Sequence, residues 1–85
     1  MPMRRKLQTL EEALLDGSTG FINIALRDVL LASHGNYEEG LEVEKFREAE
    51  LLFHELATFY DKPLTQDKTL LALGIVNKLR DIVPR

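Results

Sequence analysis

Apolar positions recur in steps of three and four along almost the whole chain, and that spacing predicts four amphipathic helices. In the first, Leu7, Leu10, Leu14 and Leu15 share one face, and Met3 extends it backward. Thr9 and Glu12 offer a capping box if the helix starts late. Asp16 to Gly20 is a compact breaker, in which Gly17 can close the first helix and Ser18 or Thr19 can cap the next. The second helix is expected from about Phe21 to Ser33, with Ile22, Ala25, Leu26, Val29 and Leu30 as its stripe. Ile24 and Leu31 widen that stripe beyond one face, which predicts the most enclosed helix of the four. Phe21 to Ile24 also satisfies strand preferences, but the run is short and passes directly into Ala25-Leu26-Arg27-Asp28.

His34-Gly35-Asn36 reads as a stop, and Gly40 punctuates the approach to Leu41. From there Val43, Phe46, Ala49, Leu52, Phe53, Leu56, Ala57 and Tyr60 form the widest apolar face of the chain. Opposite it lie Glu44, Lys45, Arg47, Glu48 and Glu55, with Glu44 to Arg47 and Lys45 to Glu48 at a spacing that supports a helix. Pro63 has no amide hydrogen and drives Lys62 away from helical angles, so a helix arriving through Phe59 and Tyr60 must end there. Thr65 caps the fourth helix, which carries Leu71, Ala72, Ile75, Val76, Leu79, Ile82 and Val83 and ends at Pro84. Asp67 in its first turn and Lys78 and Arg80 near its end suit the helix dipole. Gly74 lies inside this helix at a cost of about 1 kcal/mol relative to Ala, which close approach of another backbone would offset.

Four helices joined by short connections favour antiparallel neighbours, and the expectation is an all-α, up-down-up-down four-helix bundle forming a single domain over residues 1–85. A domain of this size buries only about 60% of the surface its unfolded chain exposes, so its margin is thin. With no cysteine it has neither a disulfide staple nor a thiolate nucleophile, a composition suited to a reducing cytoplasm.

Charge is distributed unevenly. Residues 7–61 carry twelve acids against Arg27, Lys45 and Arg47, while Arg4, Arg5 and Lys6 precede this block and Lys62, Lys68, Lys78, Arg80 and Arg85 follow it. An acidic middle repels phosphate, which argues against nucleic acid as a partner. No apolar stretch approaches the roughly 20 residues that span a bilayer, and the first residues lack the apolar core of a signal peptide. A soluble cytoplasmic protein without stable membrane insertion is expected. Acidic and basic helices lying side by side would account for the asymmetry without a dedicated partner surface.

Catalytic chemistry finds little purchase. His54-Glu55-Leu56-Ala57-Thr58 begins like a metalloprotease motif, but Thr58 stands where the second histidine is required. Glu50 and His54 share a face, and His34 is the one other histidine available as a third ligand. Glu38, Glu39, Glu42, Glu44 and Glu48 read as the solvated face of a helix and its approach. Ser18 and Ser33 lack a nucleophile-elbow context, and no phosphate loop or dinucleotide fingerprint occurs. The expectation is a protein that is not an enzyme and takes no metal or cofactor. Phe21, Phe46, Phe53 and Phe59 read as core. Tyr37 and Tyr60, placed at a loop or helix end, can each offer a partner a rigid ring with a polar tip, although simple packing explains them as well.

With the helices placed, three segments carry a family likeness: Leu26-Arg27-Asp28-Val29-Leu30-Leu31, Glu38-Glu39-Gly40-Leu41-Glu42-Val43, and Pro63-Leu64-Thr65 followed by the last amphipathic helix. The pattern resembles the enterocin A-type immunity proteins for pediocin-like bacteriocins. The resemblance implies an antiparallel four-helix bundle without catalytic activity, held in a bacterial producer's cytosol and protecting it from its own membrane-active peptide. It further implies recognition of a complex of bacteriocin and sugar-permease receptor, with specificity in the C-terminal half. By location, that half contributes Tyr60, Lys62, Lys78, Arg80, Ile82 and Val83 as partner-binding candidates. Two other readings remain open at this point. One is a homo-oligomeric scaffold, a homodimer for example, whose third-helix face is completed by a second subunit. The other is an acidic inhibitor that steers a basic toxin enzyme through Glu38 to Glu50.

Overall fold

The computed structural model describes residues 2–35 and 37–84, and every regular element among them is an α-helix. α1 spans Met3–Asp16, α2 Thr19–Ala32, α3 Val43–Ala57 and α4 Gln66–Ile82. The helices run up, down, up and down. α1 packs on α2 and α4, and α3 packs on α4 and α2, so each helix has two neighbours and the ring closes without diagonal contacts.

Helix ends follow local chemistry. Pro2 sits before α1 in extended geometry, and its carbonyl accepts the amides of Arg5 and Lys6 at 3.1 and 3.3 Å. The early start leaves Thr9 mid-helix, where its hydroxyl donates back to the Arg5 carbonyl, so the Thr9–Glu12 capping box does not form. Gly17 closes α1 in the left-handed region at φ 81°, donating to the Ala13 carbonyl. Ser18 is the N-cap of α2 but makes no side-chain cap bond. Phe21 to Ile24 are helical. Asn36, expected to help stop α2, lies outside the described residues.

α3 ends sooner than Pro63 requires. The amides of Thr58, Phe59 and Tyr60 donate three residues back, to Glu55, Leu56 and Ala57, which tightens the chain out of the α-helix. Asp61 then takes a positive φ of 56° and donates its amide to Asn23 Oδ1 at 3.2 Å, tying this turn to α2. Tyr60 therefore belongs to the turn and not to the helix. Thr65 caps α4 by accepting the Lys68 amide at 3.2 Å, and Val83 leaves helical geometry directly before Pro84.

One core joins all four helices. Leu7, Leu10, Leu26, Val29, Leu56, Val76 and Leu79 are its fully enclosed side chains, and among the described residues no polar or charged one is buried with them. Several positions expected in the stripes face solvent instead: Leu15, Ile24, Leu31, Val43 and Leu71. α2 is thus not enclosed. A helix with two neighbours covers only part of its circumference, and additional apolar residues land outside. Gly74 also departs from expectation, since a Cβ there would meet nothing within 4 Å.

Candidate functional site

The residues expected to form one binding surface fall at two places. Tyr60 and Lys62 are exposed in the turn after α3. At about 1.5 Å of rise per residue, Arg80 stands roughly 21 Å from Gln66, toward the opposite end of the bundle. There it is half-buried, donating to Glu11 Oε2 at 2.9 Å while its carbonyl accepts from Arg4 Nη1 at 2.9 Å. Arg80 is thus engaged in joining α4 to α1. Ile82 is half-buried against the core and Val83 is buried within it, which removes Val83 from any partner surface.

Lys78 has a different setting. It lines a groove of about 360 Å³ between α3 and α4, together with Glu55, Thr58 and Phe59 on one side and Leu70, Leu71, Gly74 and Ile75 on the other. The floor is apolar. Gly74, without a Cβ, leaves the groove open at its middle, while Glu55 and Lys78 set opposite charges on its borders. Leu71, Gly74 and Lys78 recur one helical turn apart, with Leu70 beside them, on a different side of α4 from the core stripe of Ala72, Ile75, Val76 and Leu79. That second apolar phase was the available signal. Assigning Leu71 to the core obscured it.

Tyr37 proves to be a core residue. In the connection between α2 and α3 its ring stacks on Phe46, with centroids 5.9 Å apart, and meets Phe53 edge-on at 5.1 Å. Its hydroxyl and Glu38 Oε2 are buried without a hydrogen-bond partner among the described residues. Burial, reinforced by the charges of Glu50 and Glu38, pushes the phenol up from 10.0 to about 12. Phe46 and Phe59 are half-buried, whereas Phe21 is exposed.

His34, Glu50 and His54 line one cleft of about 320 Å³ beside Tyr37. Among the described residues no three His, Cys, Asp or Glu groups are placed to hold one metal ion. The acidic approach and outer face of α3 expose Glu39, Glu42, Glu44 and Glu48. Among the described residues the salt bridge formed is Arg80 to Glu11, so the Glu44–Arg47 and Lys45–Glu48 spacings are not closed into ion pairs. Among the described residues no helix is long and apolar enough to cross a membrane. Compared with protein families, with curated proteins and with solved structures, the chain matches none.

Proposed function

We propose that this chain is a non-catalytic binding protein of the bacteriocin-immunity kind, acting in the cytoplasm of a bacterial producer against its own membrane-active peptide. The observation that carries the reading is the α3–α4 groove. It lies in the C-terminal half, where the resemblance puts specificity, and it combines an apolar floor with one acidic and one basic border. Such a groove suits an amphipathic segment of the peptide–receptor complex, whose apolar side would lie over Leu71 and Gly74 while polar groups meet Glu55 and Lys78. Tyr60 and Lys62 stand at the α4 N-terminal end of the same helix pair and extend the surface.

The test is protection. Expression in a bacterium sensitive to pediocin-like peptides should confer resistance to at least one member of a peptide panel. Leu71→Glu with Lys78→Glu should abolish it while the helical circular dichroism spectrum is kept, because both side chains are exposed. Lack of protection across the panel refutes the immunity reading. Protection that survives in the groove variant but is lost in Tyr60→Ala with Lys62→Ala keeps the function and moves the site to the turn.

A further inference from the structure

Arg4 and Arg5 stand one turn before Gln8 and Thr9 and two turns before Glu12, so these residues share one side of α1. Arg80, near the end of the antiparallel α4, joins them in lining a cleft of about 590 Å³. The Arg80 carbonyl has no helical amide to accept from, because Pro84 stands four residues on and carries no N–H. Arg4 Nη1 donates to that carbonyl at 2.9 Å instead, and the Arg80 guanidinium reaches along α1 to Glu11 Oε2 at 2.9 Å. Both arginines are half-buried and held in place, yet each contact uses one N–H and leaves the rest of the guanidinium fork open. Arg5 is exposed, and among the described residues neither Arg4 nor Arg5 is in an ion pair.

The cleft is graded along its length. At about 1.5 Å of rise per residue, Glu12 lies roughly 11 Å further along α1 than Arg4 and Arg5. One end offers guanidinium donors to an anion, and the other offers a carboxylate that only accepts, with the Gln8 amide between them. Guanidinium forks match the oxygens of a phosphoryl group. With the charge of Arg80 answered by Glu11, those of Arg4 and Arg5 remain, and a phosphomonoester of about −1.5 to −2 near neutral pH balances them where one carboxylate would not. Glu12 takes hydroxyl donors and repels a second phosphate, which excludes a polyanion such as nucleic acid.

We propose that the cleft between α1 and α4 binds a phosphorylated polyol, with its phosphoryl group at Arg4, Arg5 and Arg80 and its hydroxyls at Gln8 and Glu12. The same chemistry occurs in soluble esters and in lipid headgroups, and the charge match favours a soluble monoester over a lipid phosphodiester. The inference stands apart from the immunity reading, since the cleft and the α3–α4 groove are lined by different residues. Such a ligand in a cleft open to water is held weakly, with a dissociation constant on the order of millimolar.

Glycerol 3-phosphate is the probe, titrated into the full chain at constant ionic strength and followed by amide NMR. It should shift resonances of residues 4–12 and of Arg80 saturably, and inorganic phosphate, which lacks the hydroxyls, should bind the same place about tenfold more weakly. Arg5→Glu should weaken glycerol 3-phosphate binding about tenfold or more, and because Arg5 is exposed the circular dichroism spectrum should be unchanged. Glu12→Ala should leave inorganic phosphate bound no more weakly and erase the preference for the polyol ester. No response, a response that sodium chloride reproduces, or one that Arg5→Glu leaves intact overturns the proposal. A preference that survives Glu12→Ala overturns the orientation. Phosphatidylglycerol vesicles should retain the protein no better than phosphatidylcholine vesicles do. Retention that glycerol 3-phosphate competes away and Arg5→Glu abolishes overturns the soluble source and puts the phosphoryl group on a lipid headgroup.

Discussion

The two helical hairpins close one core by different means. α1 and α2 are joined by Gly17 and Ser18 alone and share the most extensive helix–helix contact of the molecule, with only aliphatic side chains buried on both sides. α3 and α4 are joined by residues 58–65, and α3, which buries Ala49, Leu52, Phe53 and Leu56, meets its two neighbours less extensively than α1 meets its own. The volume beside α3 is filled from outside the helices, by Tyr37 packed on Phe46 and Phe53. An aliphatic stripe laid on another is self-sufficient. A helix with less extensive contacts to its neighbours borrows an aromatic ring from a connection, and with the ring comes a hydroxyl that finds no partner among the described residues.

The largest effect expected from breaking this arrangement is at Phe53, which is both a buried residue of α3 and the surface against which Tyr37 rests edge-on. Phe53→Ala should cost about 3 to 5 kcal/mol, a large part of the margin of so small a domain, and urea titration would read it as a lowered midpoint. An unchanged midpoint would mean that the aromatic cluster does not hold the second hairpin together. Within the first hairpin, Leu26 and Leu31 make a matched pair on one helix, one fully enclosed and the other exposed. Leu26→Ala should cost about 2 to 5 kcal/mol, whereas Leu31→Ala, measured at low micromolar protein, should stay within about 0.5 kcal/mol. Equal losses would show that α2 is enclosed on all sides, as the width of its stripe alone suggests.

Where the signal is local, the sequence was a good guide. Gly17 closing α1, Thr65 capping α4 and the break before Pro84 each depend on the chemistry of a few neighbouring residues, and together with the apolar spacing they set the number and order of helices. The misreadings share a physical reason: they depend on partners distant along the chain. Stripe width counts apolar residues on α2 without knowing that only α1 and α3 are there to cover them. Pro63 sets the latest end of α3, yet the three-residue bonds at Thr58 to Tyr60 end it earlier, and the link from Asp61 to Asn23 reaches across to another helix. The candidate site suffered in the same way. Tyr60, in the turn after α3, and Arg80, near the end of α4, both lie in the C-terminal half, but α4 runs away from the turn, and Arg80 is engaged by Glu11, far away along the chain. Lys62 and Lys78 are exposed, while the groove itself required knowing which side of α4 faces α3.

The smallest expected effect sharpens the contrast most. Tyr37→Phe keeps the ring against Phe46 and Phe53 and removes only the buried hydroxyl that lacks a partner among the described residues, so the variant should be between equally stable and about 1 kcal/mol more stable near neutral pH. Alkaline pH separates the two proteins further. Burial first, then Glu50 and Glu38, raise the phenol from 10.0 to about 12, so the folded state holds this proton more tightly than the unfolded chain does. The stability carried by the protonated phenol is therefore complete below pH 10 and is lost as pH rises toward 12. Over that interval the original protein should lose stability that Tyr37→Phe keeps, a difference visible in urea midpoints recorded at successive pH values. Identical slopes for the two would place the hydroxyl in water, and the second hairpin would then be closed without its borrowed residue.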